Sequence, residues 1–443
     1  MTLALSVVLW IVATSGGTHL FVKEVLGDAF DSQAEHFLHG DAGIDLEAIR
    51  PEAMIVNGKI RTYFGPFPAF VRMPLNLLYA PGRGMWSRFS GFCAGLLALW
   101  SFAGLLGDSL RLAPLSSTAR NWIGNACLLG FVLATPLLFL IGSLSIFNEA
   151  DIWALAWSIS AIFFAARARH SDGRRLTLAL FGFGVSAAAA LLSRVTFGLP
   201  LLLVGTILGF QVRRAGWPSL VALAAPLFAG LAFHLLLSYA RFGNFAGISY
   251  ESYINGVHVE FVRRHGMFDL ARVPYSFAEY FSLRPPVFRA HAPFVQVDRH
   301  FLPYPGLFSL PNTESYVSLT WSAGWLVFGA VFGIGYLFSS KRSNWFQRAV
   351  AAAVFVQFIL ILCHFTLAQR YMTELLPFLI FSFAIFLRNG GALFQRAAII
   401  ALVVVSAAVN TFGTAFWLSN DGNLPLETRT FWSVVAGKPP PTQ

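Results

Sequence analysis

Along most of this chain the apolar residues do not alternate with polar ones; they run together. Eleven stretches, roughly 3–22, 89–107, 121–142, 152–166, 176–191, 197–212, 218–239, 318–338, 349–367, 373–387 and 397–418, approach the ~20 apolar residues that a helix needs to cross a bilayer. Polar residues gather in short turns and in two longer segments, about Lys23 to Arg88 and about Ala240 to Val317. The pattern predicts an all-α polytopic membrane protein of about eleven transmembrane helices. The first stretch has no basic residue before it and is long for the apolar core of a signal peptide, so it reads as a helix. The whole of 1–443 reads as one membrane domain. It carries a first long loop at 23–88, a second at 240–317 and a short tail at 419–443.

Composition supports this and excludes a soluble or disordered chain. Hydrophobic residues make up 56% and charged residues 12%, against about 25% charged in a soluble domain; mean hydropathy is +0.64. The 3 cysteines lie in apolar runs and form no CxxC pair, so neither a disulfide framework nor a thiolate metal site is expected.

The net charge of +10 invites a nucleic-acid reading until the charges are placed. With the N-terminus inside, the inner turns hold Arg111, Arg120, Arg167, Arg169, Arg174, Arg175, Arg213, Arg214, Lys341, Arg342, Arg348, Arg388 and Arg396. Only Asp108 and Asp172 oppose them, and the remaining acids fall outside. That is the positive-inside pattern, so the expected topology is N-in, C-out. The basic surplus faces anionic lipid and not nucleic acid. Both long loops are then extracytoplasmic, where long loops tend to carry function.

The first loop opens GDAFDSQAEHFLHGD. Asp28 suits a helix N-cap, and Phe30, Ala34, Phe37 and Leu38 have helical spacing, which predicts a helix lying on the membrane surface. Asp28 and Asp31, one turn apart, either serve the helix as cap and dipole partner or offer a general base to a lipid-bound substrate. Asn57-Gly58 predicts a hairpin with strands at 53–56 and 59–64. A proline-bounded interfacial segment follows, in which Arg72 and Arg83 either hold a lipid phosphate or snorkel.

The short turn SIFNEADIWALAW carries Asn148, Glu149 and Asp151. Its acids either coordinate a divalent metal (magnesium or manganese) or position an acceptor hydroxyl, or else form a solvated turn with Asn148 as cap. Arg194 and Arg370 occupy short outer turns against the positive-inside rule, with Tyr371 beside Arg370. A guanidinium fork suits phosphate oxygens; the alternative is pairing with Glu149, Asp151 or Glu374. The second loop is rich in Tyr, Phe, Pro and His, types that stack on sugars and also mark membrane interfaces.

These residues resemble the GT-C superfamily of membrane glycosyltransferases, which includes protein O-mannosyltransferases and the aminoarabinose transferase of lipid A. One span, an outer acid and QAEHFLHGD are followed in order by NGKIRTYFGPFPAFVRMP, FNEADIWALAW, SRVTF, YARFGNFAGISY and RYMTELLPF. The resemblance implies a polyprenyl-phosphate sugar donor, an extracytoplasmic acceptor (envelope glycan, lipid or protein), membrane lipid as partner, and inverting transfer at the outer face of a bacterial inner membrane. It assigns the first-loop acid as base, Asp28 first and Asp31 second, because the spacing to Gly40-Asp41 departs from the usual one. Glu149 is implied as a second acid that helps bind metal in some members, with Asp151 beside it. Arg194 and Arg370 are implied near the donor phosphate. The Lys-Pro-Pro segment common in the superfamily is replaced by Gly65-Pro66-Phe67-Pro68, so no lysine role carries over. The competing expectations are a surface-polysaccharide polymerase or ligase, and a flippase or transporter of lipid-linked sugar.

Overall fold

In a computed structural model, the structure describes residues 1–248, 250–297, 306–309, 317–339 and 341–441. Seven helices among the described residues are long and apolar enough to cross a membrane: Ser87–Leu112, Ile146–Ala168, Gly173–Ser193, Trp217–Phe242, Trp345–Leu362, Gln369–Arg388 and Leu393–Asn420. Shorter apolar helices are Thr2–Ala13, Val195–Gln211 and Gly324–Leu337. The protein is therefore an all-α, multi-pass membrane protein.

Three of the expected stretches differ in detail. The first ends at Ala13, where Ser15, Gly16 and Gly17 all take positive φ, so the helix is only about 18 Å long at 1.5 Å per residue. The 121–142 stretch is split into Ser117–Leu133 and Leu137–Gly142 around Pro136, which cannot continue the backbone ladder. The carbonyls freed there are satisfied by neighbouring helices. Trp325 Nε1 donates to Ala134 O at 2.9 Å, and Asn410 Nδ2 donates to Leu133 O at 2.9 Å and Thr135 O at 2.8 Å. The 318–338 stretch breaks at Ala323, and Gly324 N donates to Ser406 Oγ at 3.0 Å.

The helices alternate so that the arginine-rich turns collect at one end of the bundle. Arg167 meets Asp108 there at 3.1 Å, and Arg169 meets Asn344 at 2.8 Å. Both long loops and the C-terminal helix Leu426–Val435 lie at the other end. That last helix folds back onto the bundle. Trp432 is buried and donates to Gly142 O at 3.1 Å, and Thr428 accepts from Arg88 at 2.8 Å.

The first loop forms its hairpin as Met54–Val56 against Lys59–Arg61, with Asn57 and Gly58 at φ 51° and 74° in the turn, the positive-φ pair that a two-residue hairpin demands. The Ala29–Leu38 helix forms as expected, but its apolar face is turned inward. Phe30 and Ala34 are 1% exposed and pack with Phe64, Ala69, Ile146 and Ala150 instead of lying on lipid. The reason is that the hairpin and the Phe67–Leu78 helix offer a protein surface on that side. Leu38 of the Ala29–Leu38 helix, and Leu77 and Leu78 at the end of the Phe67–Leu78 helix, stay exposed.

The second loop docks on the first: Ile254 N donates to Ala53 O at 3.1 Å, and Met54 bridges Tyr253. It is organised by Arg272, wholly buried. Its guanidinium donates to the carbonyls of Leu307, Met267, Cys363, His265 and Gly266 at 2.6–3.1 Å. A further small hairpin, Val287–Phe288 with Val295–Gln296, was not apparent from the residue pattern.

Candidate active site

The acid-bearing turn belongs to a helix. Ser145 Oγ accepts from Asn148 N at 3.3 Å, so the Ile146–Ala168 helix starts about six residues before the apolar run at 152–166. Ser145 is the cap, and Asn148 instead donates through Nδ2 to Ser143 O at 2.6 Å. Glu149 and Asp151 therefore sit within the first two turns, both 0% exposed. Buried carboxylates require countercharge, and each acid finds a different arginine.

Glu149 Oε2 accepts from Arg72 Nη2 at 2.6 Å, and Arg72 Nη1 also reaches Asp31 Oδ2 at 3.5 Å. Arg72 Nη2 donates further to Ser87 Oγ at 3.1 Å. Asp31 and Arg72 are 1% and 0% exposed. Three residues from three elements thus form one buried ion triad. Burial raises the Asp31 carboxyl above its ordinary value, against the lowering effect of the Arg72 charge. One guanidinium between two carboxylates leaves a negative excess when both are ionised, which favours retention of one proton by the pair.

Asp151 pairs with Arg194, whose Nη2 also lies 2.8 Å from Glu374 Oε1. Glu374 is 0% exposed, whereas the Arg194 side chain retains 25% exposure. Arg194 sits 5.3 Å from the Tyr371 ring centroid, while Arg370 lies 5.0 Å from Tyr371 and 4.6 Å from Phe147. Positions 147, 149 and 151 of a single helix thus reach Arg370, Arg72 and Arg194. The pairing alternative for Arg194 is realised, with Glu374 as its second partner.

Asp28 stands apart from these contacts. Its side chain is 45% exposed and pairs with Lys23 at 3.2 Å; it begins the Ala29–Leu38 helix without a capping hydrogen bond. The backbone of Gly84 presses against it so closely that a Cβ there would collide with Asp28 Oδ1. Arg83 pairs with Glu35 at the surface.

For a divalent ion the donor set does not fit. Both acids of the helix face arginines, and the described residues contain no cluster of three or more His, Cys, Asp or Glu placed to hold a metal.

Several neighbouring groups escaped sequence reasoning. Glu52 Oε2 accepts from both Tyr63 and Tyr253 hydroxyls at 2.6 Å, joining the two long loops. Burial and the Glu52 charge push the Tyr63 hydroxyl well above its usual range. His364, between helices, packs its ring 4.9 Å from that of Tyr371. Arg241 is 5% exposed and donates to Phe64 O at 2.9 Å, with no protein partner among the described residues for Nε or Nη2. Arg88 pairs with Glu24 at 2.6 Å, and burial lifts that carboxyl to about 7. The motifs YARF and NGKIRTYFG contain Arg241 and Tyr63; Glu24, Glu52, Arg88 and His364 lie outside the quoted motifs.

No protein-family model matches the chain. Comparison with curated proteins gave no match either. Among solved structures, the chain aligns along 100% of its length with the apo crystal structure of the Archaeoglobus fulgidus oligosaccharyltransferase, at TM-score 0.51 and 14% identity. It spans 56% of that protein's length. Looser alignments are to AglB of the same organism in complex with an inhibitory peptide and a dolichol-phosphate (TM-score 0.43, 13% identity, 100% of this chain and 56% of that one). Another is to apo ArnT from Cupriavidus metallidurans (TM-score 0.40, 14% identity, 98% of this chain and 76% of that one). At such identities the likeness is one of fold alone, and by the first of these alignments the chain shares its fold with the matching part of that oligosaccharyltransferase.

Proposed function

We propose that this protein transfers a sugar, with inversion, from a polyprenyl-phosphate donor to an acceptor hydroxyl on the extracytoplasmic side of the membrane. The observation that carries the reading is the first two turns of the Ile146–Ala168 helix. They draw acids from two elements and arginines from three to the end of the bundle where both long loops meet. The fold shared with an oligosaccharyltransferase supports it.

Asp31 is the proposed base. It receives the acceptor's proton as the acceptor oxygen attacks the anomeric carbon and the bond from that carbon to the phosphate oxygen breaks. Glu149, on the other side of Arg72, holds the guanidinium, so that Asp31 is oriented without being fully neutralised. The leaving phosphate gathers negative charge, which Arg370 offsets, while Arg194 is already held by Asp151 and Glu374. The aromatic floor of Tyr371 and Phe147 keeps water from these charges. The test is mass analysis of cell-envelope glycans with and without the gene, followed by transfer with purified protein. Unchanged glycans and no transfer from any polyprenyl-phosphate sugar would remove the reading.

The proposed topology has eleven crossings, N-in and C-out, with loops 23–88 and 240–317 and the tail 419–443 outside. Reporter fusions at Gly173 and Gly256 are expected to read inside and outside. The same side for both would separate the acids from the outer leaflet.

Arg370→Ala is expected to weaken donor binding roughly tenfold or more, the loss of a charge-assisted contact worth about 1.5–3 kcal/mol. Arg370→Lys should do less harm, since it keeps the charge and loses the fork. Glu374 pairs with Arg194, so Glu374→Ala should act on stability before it acts on donor affinity. Titration of a polyprenyl-phosphate sugar beside thermal melting separates the two; unaltered affinity in Arg370→Ala takes Arg370 out of the site.

A further inference from the structure

At the end of the bundle opposite the acids, a cavity of about 640 Å³ opens between the Ser87–Leu112, Ile146–Ala168, Gly173–Ser193, Trp345–Leu362 and Leu376–Arg388 helices. On the Ile146–Ala168 helix its rim residue Arg167 lies 18 positions beyond Glu149, about 27 Å along the axis. Its rim carries Arg111, Arg167, Arg169, Arg175 and Arg388, with Asp108 as its acid. Asp108 is taken by Arg167 at 3.1 Å and lies 3.9 Å from Arg111. Arg169 donates to the neutral amide of Asn344 at 2.8 Å. Arg175 and Arg388 have no acidic partner among the described residues. Arg169 and Arg388 are half-buried, and the neighbouring His170 is depressed chiefly by burial and then by the charges of Arg388 and Arg169. Like charges held together at partial burial are unfavourable without an anion.

Below this rim the lining is apolar, including Leu105, Ile162, Phe164 and Phe381. At its mouth, Leu112 and Leu178 are 50% and 57% exposed. A soluble anion would use the arginines and leave that apolar surface uncovered. We infer that this cavity binds an anionic phospholipid, the phosphate between Arg169 and Arg388 and an acyl chain along the apolar wall. Basic pockets between membrane helices have the chemistry for such head groups. The site is independent of the sugar-transfer reading, since none of its residues belongs to the acid and arginine clusters.

The test uses the full chain in neutral detergent. Dioleoyl phosphatidylglycerol, dioleoyl phosphatidylcholine and inorganic phosphate are titrated separately, with binding read by native mass spectrometry and by the melting temperature. Phosphatidylglycerol should bind at least tenfold more tightly than phosphatidylcholine and raise the melting temperature, with inorganic phosphate doing little. The R169Q/R388Q double variant should lose most of that preference. Ala384→Trp, which narrows the cavity and keeps its charges, should weaken the lipid and spare any effect of phosphate. Equal binding of the two lipids, or full stabilisation by phosphate alone, overturns the assignment, and both comparisons need only the unaltered chain.

Discussion

Asp31→Asn is expected to lower sugar transfer by roughly 10²- to 10⁴-fold, the usual contribution of a general base, while Asp28→Asn keeps most of the rate. The two residues are one turn apart, but their surroundings differ. Asp28 is exposed and already neutralised by Lys23. Asp31 is 1% exposed, and burial raises its carboxyl, which moves a carboxylate towards the range where it can accept a proton and pass it on. Its contact with Arg72, at 3.5 Å, is the longest that Arg72 makes, against 2.6 Å to Glu149. A small rotation frees Asp31 while Glu149 keeps the arginine in place. The asparagine has the same shape and no basicity, so folding and donor affinity should survive. Turnover of a labelled polyprenyl-phosphate sugar by the two variants is the measurement. Loss in Asp28→Asn with retention in Asp31→Asn moves the base one turn back; full activity in both ends the idea of a first-loop base.

Arg72→Ala should cost about 3–5 kcal/mol of stability, the typical penalty for stranding buried charge. Arg72 is wholly buried and is the counterion of both Asp31 and Glu149. Arg72→Lys should recover part of the loss, because a single ammonium keeps the charge but cannot span both carboxylates. Adding Glu149→Gln to Arg72→Ala should also restore stability, since one of the two stranded charges disappears. Denaturant titration in mixed micelles, arranged as a double-mutant cycle, gives the coupling directly. A cost below about 1 kcal/mol for Arg72→Ala would mean that the acids are neutral in the folded protein and that Arg72 is not their counterion.

Much of the architecture was written locally in the chain. The runs of apolar residues announced the helices, Asn57-Gly58 announced the hairpin, and the arginines sorted the turns into two ends. Of the features made between distant segments, only the pairing of Arg194 was among the alternatives the residues offered. Arg72 and Glu149 are 77 positions apart, and Asp151 and Arg194 are 43 apart. Nothing in the neighbours of Arg72 or Glu149 reveals their match, and the residues around Arg194 left its partner open among three acids. The same blindness displaced the start of the Ile146–Ala168 helix, because an acid reads as a turn unless its countercharge is known. It also put the apolar face of Ala29–Leu38 on the membrane, since the periodicity of a helix face does not say whether lipid or protein will cover it. Arg272 looked like one more loop arginine, although it gathers five backbone carbonyls.

The two acids of the Ile146–Ala168 helix also impose an order on biogenesis. Each resists entry into lipid, by up to about 2.5–3.5 kcal/mol on insertion scales. Arg72 is made before Glu149, so in the proposed topology it already waits across the membrane when that helix arrives. Arg194, which pairs with Asp151, does not yet exist at that point, because it follows the next hydrophobic segment, Gly173–Ser193. The Arg72–Glu149 pair can form at once, and the Arg194–Asp151 pair only after another helix has been inserted. The nascent helix is therefore held first by its upstream half of the charge pattern and secured later by its downstream half. Truncated chains that end between 168 and 194 should be those most readily extracted or degraded.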